Sequence, residues 1–298
     1  MAQAERVTFI VMAYNQAPVV AEAVQSALDQ DYENLQIILS DDCSTDETFD
    51  VIRSVVAGYD GPHDVEVNRT PRNLGIAPHV NLMFERAEGA LVVLQAGDDI
   101  STPDRARKLH AAYVEGDAEG TARPMIVFSD MVGMTYDGHV GDYIVTNVEM
   151  RRMGLFRMAM SHYGIVGAVA AYNPEIYHRF GPLSVPGIAE DRVFTFRAFL
   201  AGTIKHVPEP LVFHRDGGIS DLNPHQIKGA HQGMRALNRL SLLRDKRQSL
   251  IDSNTYSPRP RKTRKWLEDK IRQLEAQVAD DIAAGLTPPE ALDDLRGA

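Results

Sequence analysis

The chain has 298 residues, 44% hydrophobic and 24% charged, with a formal net charge of −10. That is the balance of one globular unit plus an extension, large enough to bury a core without disulfides. An acidic surface excludes general affinity for nucleic acid. The single cysteine, Cys43, excludes an intramolecular disulfide and a cysteine metal cluster, and reads as a reducing, cytoplasmic setting.

The opening MAQAERVTFIVMAYN lacks the basic start, apolar stretch and cleavage site of a signal peptide. No apolar run reaches the roughly 18 residues that a transmembrane helix needs. Val7 to Met12 is β-branched and of strand length. Pro18 suits the first turn of a helix whose apolar face is Val20, Ala23, Val24, Ala27 and Leu28. Leu35 to Leu39 is a second strand, running into Ser40-Asp41-Asp42. Thr48 to Val56 is a helix, with Ser44, Thr45 and Asp46 as its capping residues. A short strand at Val65 to Val67 follows, then a helix from His79 to Ala87, then a strand from Ala90 to Leu94 ending at Gly97-Asp98-Asp99. Met125 to Phe128 is a further strand, ending at Ser129-Asp130.

Strand and helix in alternation predict an α/β fold, a mostly parallel sheet flanked by helices. Acids follow three strands: Asp41 and Asp42, Asp98 and Asp99, and Asp130. That edge of an open parallel sheet is where ligands bind. Carboxylates suit a phosphate ligand only when a divalent cation stands between them. Residues 131 to 222 carry more glycine and aromatic residues and read as a mixed second half, with a helix from Asp191 to Leu200. Beyond that the chain turns helical and basic. From His225 to Arg272, thirteen Lys or Arg stand against four acids. Such a segment can lie on an anionic membrane surface at the inner face of a membrane. The plainer alternative is a solvated helix packing on the α/β part or on a partner chain, as in a homo-oligomer, through Leu237, Leu240, Leu243 and Ile251. The domain boundaries read from this are 1–222, divided near 130, and a helical extension 223–298.

Thr8 to Asn15, Ser26 to Leu35, Asp41-Asp42-Cys43-Ser44-Thr45-Asp46, Arg72-Asn73-Leu74-Gly75, Gly97-Asp98-Asp99, Glu190-Asp191 and Pro208 to Val212 occur in this order. Together they resemble the inverting glycosyltransferase family 2, which has the GT-A fold, over roughly residues 6 to 220. The resemblance implies a metal-assisted transfer of a sugar from a nucleotide diphosphate donor, UDP by default, to an acceptor hydroxyl. It points to a carbohydrate or lipid-linked glycan acceptor, with polysaccharide biosynthesis as the setting, and to Mn²⁺ or Mg²⁺ as cofactor.

By the same resemblance, Tyr14 stacks on the donor base; the alternative is a half-buried tyrosine at a strand end. Asp42 accepts a hydrogen bond from the uracil or ribose, or else forms an Asx turn. Arg72 contacts the diphosphate, or is an ordinary solvated arginine. Asn73 and Gly75 are structural, Gly75 allowing a turn. Asp99 ligates the metal and Asp98 contacts ribose, sugar or metal; the alternative is a plain Gly-Asp-Asp surface turn. Relatives carry a further acid at the position of Ala96. Asp191 is the general base that takes the acceptor proton, beside Glu190 on the substrate side, and an acid there also complements a helix dipole. In Phe213 to Ser220 the family's arginine and histidine positions hold His214 and Asp216, which reach for metal or phosphate or belong to a flexible loop. His162 and Trp266 carry no assigned role.

Two rivals share features with this reading. A sugar nucleotidyltransferase has a basic, glycine-rich loop after the first strand, whereas Tyr14 to Pro18 contains no Lys or Arg. A non-catalytic GT-A-like module that binds nucleotide or carbohydrate is favoured by Ala96 and the altered His214–Asp216 segment, and disfavoured by Asp99 and Asp191.

Overall fold

The computed structural model describes residues 4–145, 150, 152–215 and 230–291. In chain order these form β1 (Val7–Ala13), α1 (Val20–Leu28), β2 (Leu35–Asp41), α2 (Thr48–Ala57), β3 (Asp64–Arg69), α3 (Ile76–Arg86), β4 (Leu91–Ala96), β5 (Ile100–Ser101), α4 (Arg105–Gly116), β6 (Met125–Met134), β7 (Val140–Val145), α5 (Leu155–Met160), β8 (Ala170–Tyr172), α6 (Glu175–His178), α7 (Glu190–Ala201), β9 (Thr203–Arg215), α8 (Ala230–Thr255) and α9 (Pro260–Ala283).

One sheet runs through the described residues in the order β3-β2-β1-β4-β8-β6-β9-β5, with β7 added on β6. β1 pairs parallel with both neighbours, Val7 lying opposite Leu35 on β2 and Leu91 on β4. β8 is antiparallel to β4 and to β6, and β9 returns parallel to β6. The mostly parallel sheet is therefore as expected, with β5, β7 and β8 as the reversed strands that make the second half mixed.

Alternation along the strands splits the core between two faces. Phe9 and Val11 pack with Val24, Leu28, Leu39 and Leu109 on one side. Ile10 and Leu94 pack on the other with Phe84, Phe194 and Leu243. β1 and β2 are buried on both faces, and for that reason read as continuous apolar runs instead of alternating ones. Each fully buried large side chain contributes about 1.5–3 kcal/mol of transfer free energy.

Two expectations need correction. β6 continues four residues past Ser129-Asp130, so Asp130 lies within a strand; its carboxylate meets His206 Nε2 at 2.7 Å. The apolar stripe on α8 is also displaced: Leu237 and Ile251 are exposed, while Ala236, Leu240 and Leu243 are buried. The buried face of α8 continues not with leucine but with Asp245, Lys246, Gln248, Ser249 and Asp252. Most of these polar groups find partners in the preceding part of the chain. Arg197 of α7 grips Asp252 through two hydrogen bonds, Nε at 2.9 Å and Nη2 at 3.1 Å. Gln248 Oε1 accepts the N–H groups of Ser184 and Val185. Lys246 Nζ donates to the Met158 carbonyl at 2.9 Å. No helix of the described residues is long and apolar enough to cross a membrane.

Candidate active site

The parallel strands β1, β2 and β4 end on one edge, and a cavity of about 640 Å³ opens there. Its lining brings together Tyr14, Asp42, Asp98, Asp99, Glu190, Asp191 and His214. These residues are spread over two hundred positions of sequence, and the fold gathers them because each stands at an element end on the same edge. The volume lies within the range of small-molecule sites.

The first wall is built from two tight turns. Asn15 and Cys43 both take left-handed backbone, φ 53° and 58°, a conformation that costs a non-glycine residue about 1–2 kcal/mol. Side chains hold the turns in place: Ser44 Oγ accepts the Asn15 N–H at 2.9 Å, and Asn15 Oδ1 accepts the Thr45 N–H at 2.8 Å. The residue at the cap of α2 is Glu47, whose side chain makes no cap bond; of the three expected capping residues only Asp46, one position earlier, reaches the helix start, its Oδ1 accepting the Thr48 N–H at 3.0 Å. Asp41 is fully buried and paired with Arg69 at 3.2 Å. Asp42 organises the next loop. Its Oδ1 accepts from Thr70 Oγ1 and Leu74 N, and its Oδ2 accepts the Gly75 N–H, all at 2.9 Å. Gly75 opens α3 at φ 77°, the positive value expected of a turn glycine. Three of about four acceptor positions on Asp42 are thus occupied within the protein, leaving capacity for one further donor. Tyr14 is half-buried at the cavity wall, beside Gln16. Arg72, in contrast, is exposed and stands outside the cavity lining.

The Gly97-Asp98-Asp99 turn forms the floor. Gly97 N donates to Met12 O at 2.8 Å, an approach so close that a Cβ there would sit 2.8 Å from the Ala13 Cβ. Asp99 is fully buried. Its Oδ1 accepts the Arg215 N–H at 2.9 Å and lies 3.0 Å from His214 Nδ1, while its Oδ2 has no hydrogen-bond partner. Burial, and then the neighbouring charge of Asp99, raise the pKa of Asp98 above the usual carboxylate range. An orphaned buried carboxylate oxygen beside a second acid is the donor chemistry that a divalent cation satisfies. Mg²⁺ and Mn²⁺ are commonly held by one or two carboxylates, with the phosphates of the ligand completing the shell. No cluster of three or more His, Cys, Asp or Glu occurs among the described residues, so the fit is of this shared kind. Asp216 lies outside the described residues.

The acidic pair Glu190-Asp191 opens α7. Asp191 accepts the Arg192 N–H at 2.6 Å and the Gly167 N–H. Gly167 is a site of close approach: a Cβ would meet Glu190 Oε1 at 2.9 Å. Burial, then the adjacent Asp191, push Glu190 up to about 8, and burial raises Asp191 as well.

Four lining or supporting residues had no sequence signal strong enough to single them out. Arg105 on α4 is fully buried beneath the floor. Its Nη2 donates to Leu94 O at 2.9 Å and to Ala168 O at 2.7 Å, tying the strand before the Asp98-Asp99 turn to the loop that faces Asp191. Burial lowers the pKa of Arg105 to about 9. Arg215 Nε donates to Asp98 O at 2.9 Å, and its Nη2 pairs with Glu22. His79 lines the cavity, its Nε2 lying 2.6 Å from Ser40 Oγ, and burial lowers its pKa. Ser241 reaches the lining from α8.

Comparison with known proteins follows the same lines. EpsE of Bacillus subtilis (strain 168) is 34% identical over 110 residues, 37% of this chain and 38% of EpsE. The chain spans less than two thirds of the length of the first curated relatives that it matches. Among solved structures, residues 1–349 of S. aureus TarS in complex with UDP superpose with a TM-score of 0.63 at 17% identity, covering 97% of this chain and 79% of that one. The mannosyltransferase PcManGT from Pyrobaculum calidifontis, in complex with GDP-Man and Mn²⁺, gives 0.60 at 20% identity, covering 99% and 80%. These two likenesses establish the shared GT-A fold. The model of the family described as glycosyl transferase family 2 matches residues 8–201, and this chain belongs to that family.

Proposed function

We propose that this protein is an inverting glycosyltransferase that moves a sugar from a nucleotide diphosphate donor, UDP-linked by default, to an acceptor hydroxyl. The observation that carries the reading is one cavity lined by two separate acidic pairs, Asp98-Asp99 and Glu190-Asp191. Transfer from a nucleotide sugar makes two demands: negative charge on the departing diphosphate must be met, and a proton must leave the attacking hydroxyl. The presence of UDP in TarS and of GDP-Man with Mn²⁺ in PcManGT supports a nucleotide-linked donor.

In this reading Tyr14 offers its ring face to the nucleobase. Asp42 uses its remaining lone pair on base or ribose, and holds the 70–75 loop with the others. Asp98 and Asp99, the latter through its unpartnered Oδ2, would hold a Mn²⁺ or Mg²⁺ ion. When bound, the cation supplies Lewis-acid neutralisation of the leaving diphosphate. His214 and Arg215 fix the Asp99 carboxylate from β9, so that its free oxygen has one direction. Asp191 takes the acceptor proton; a carboxylate whose pKa is raised by burial is a stronger base and sits closer to working pH. Glu190, held up to about 8, is mostly protonated at neutral pH and binds substrate as a hydrogen-bond donor. The acceptor is a carbohydrate or a lipid-linked glycan. In this division residues 1–222 form the catalytic domain and 223–298 an extension that completes its cavity through Ser241.

Calorimetry with UDP and GDP, each with and without Mn²⁺, tests the donor site. The expected outcome is UDP binding that depends on Mn²⁺, and loss of that dependence in Asp99→Ala. Failure of both nucleotides to bind under any condition would remove the basis for the enzyme reading and leave a carbohydrate-binding module in its place.

A further inference from the structure

The acidic pair at the start of α7 is bracketed by two contacts to a single residue of α8. Ala189, one position before Glu190, donates its N–H to Asp245 Oδ1 at 2.9 Å. Arg192, one position after Asp191, brings Nε to 2.7 Å from Asp245 Oδ2. Nε and Oδ2 are held by charge without the alignment of a hydrogen bond, since neither atom has a bonded partner. The same guanidinium donates from Nη2 to Ser241 Oγ at 2.6 Å, one helical turn before Asp245. Asp245 is buried, 2% exposed, and Ser241 lines the cavity itself.

A carboxylate taken out of water in this way is costly unless its partners are fixed. Its location is informative. α8 lies wholly beyond the segment 8–201 that matches the family model. The first turn of α7 has no side-chain cap of its own, and Asp245 takes the N–H of Ala189 just before it.

We propose that Asp245 is a positioning residue for the Glu190-Asp191 pair, setting its aim from α8 through Ala189 and Arg192. The proposal rests on the reading of that pair as the proton-handling end of the site. Asp245 touches no reacting atom; it acts by fixing the backbone on one side of the pair and the cation on the other. The charged and titratable groups that face the pair are Arg192 on α7, Asp245 with Lys246 behind it on α8, and Tyr172 on β8 with Arg105 beyond it. Among these, Asp245 is the added negative charge that faces Glu190 from another element. Replacing it with a neutral group has two effects of the same sign. It removes a like charge from Glu190, and it releases Arg192 to act on Asp191. Both favour ionisation of the pair: the first moves the alkaline limb of a pH–rate profile, set by the protonated Glu190, downward, and the second moves the acid limb, set by Asp191, downward.

The test uses Asp245→Asn and Asp245→Ala in the full chain, with hydrogen exchange over residues 188–193 and a pH profile of kcat. Asparagine retains an acceptor for the Ala189 N–H and loses the charge on Arg192; alanine loses both. In Asp245→Ala, exchange of the 188–193 amides rises by an order of magnitude or more, and Asp245→Asn restores most of the protection. kcat falls on the order of 10- to 100-fold in either variant, Mn²⁺-dependent UDP binding stays at the wild-type value, and both limbs of the profile move to lower pH. Unchanged exchange in Asp245→Ala overturns the proposal even if no donor turns over. So does a wild-type profile in Asp245→Asn. A wild type that binds UDP and protects 188–193 but transfers no sugar instead removes the catalytic reading and leaves the clamp standing. A global rise in exchange, outside 188–193 as well, assigns Asp245 to stability and also overturns it.

Discussion

Glu190 and Asp191 share one corner of the cavity, and their protonation states are set by what surrounds them. A carboxyl whose folded pKa is raised binds its proton more tightly in the native state than in the unfolded one. Its burial therefore leaves stability intact below the unfolded value near 4.5 and erodes it as pH rises toward about 8. Glu190→Gln removes that penalty. Thermal melts are expected to coincide with wild type at pH 4–5 and to lie above wild type at pH 8–9, where wild-type Glu190 must ionise. Coincident melts across the whole range would contradict the raised pKa. Asp191→Asn is expected to lower kcat by about 10²–10⁴-fold, the span of general-base catalysis, while leaving Mn²⁺-dependent UDP binding unchanged. A loss confined to KM would assign Asp191 to binding instead.

The contact between α7 and α8 is of a kind that apolar patterning does not predict. α8 buries leucines along one part of its face and carboxylate, amide and hydroxyl groups along the rest. Its strongest tie is Arg197–Asp252, with both side chains fully buried. Nη1 of the same guanidinium donates to the carbonyls of Ile176 and Gly181. A buried pair of this sort adds modest net stability when complete, and is expensive to break, because a charge is left without a partner. Asp252→Ala is expected to cost about 3–5 kcal/mol in urea unfolding, whereas Asp269→Ala, an exposed partner of Arg272, should cost less than about 1 kcal/mol. Equal effects would mean that the α7–α8 seam is held by its leucines.

Across the whole molecule, charge is segregated: a chain of net −10 carries thirteen Lys or Arg against four acids between His225 and Arg272. Part of this basic excess is neutralised inside the fold, as in Arg239–Asp281 and Arg247–Glu275. Another part is not. Arg259, Arg261, Lys262 and Lys265 are exposed at the start of α9, next to Trp266, whose ring meets the exposed Phe156 edge-on at 5.0 Å. Trp266 is the one tryptophan of the sequence, so its emission reports this face alone. Phosphatidylglycerol vesicles are expected to shift its emission to the blue and phosphatidylcholine vesicles to leave it unchanged. Lys262→Glu should weaken the effect by about 1 kcal/mol for each basic charge lost, and salt above about 0.5 M should suppress it. An emission insensitive to both lipids would count the basic face as solvated surface.

The sequence by itself determined the parallel half of the sheet, β1 to β4, and the two acidic pairs. Short β-branched runs that stop at Asp41-Asp42 and Gly97-Asp98-Asp99 are local features, and the period of a buried strand or an amphipathic helix is written in neighbouring residues. It also supplied the order of motifs from which the family follows. Tertiary structure decided the rest, because the remaining contacts join residues far apart in the chain. Asp130 has the same local signature as the other strand-end acids, but β6 runs on and His206 takes its carboxylate. Arg105, Arg215 and Asp245 look like ordinary surface charges in sequence. Only the fold reveals them as buried groups that hold the floor of the cavity and the start of α7, since a charged side chain becomes structural only when distant carbonyls and carboxylates converge to replace its water.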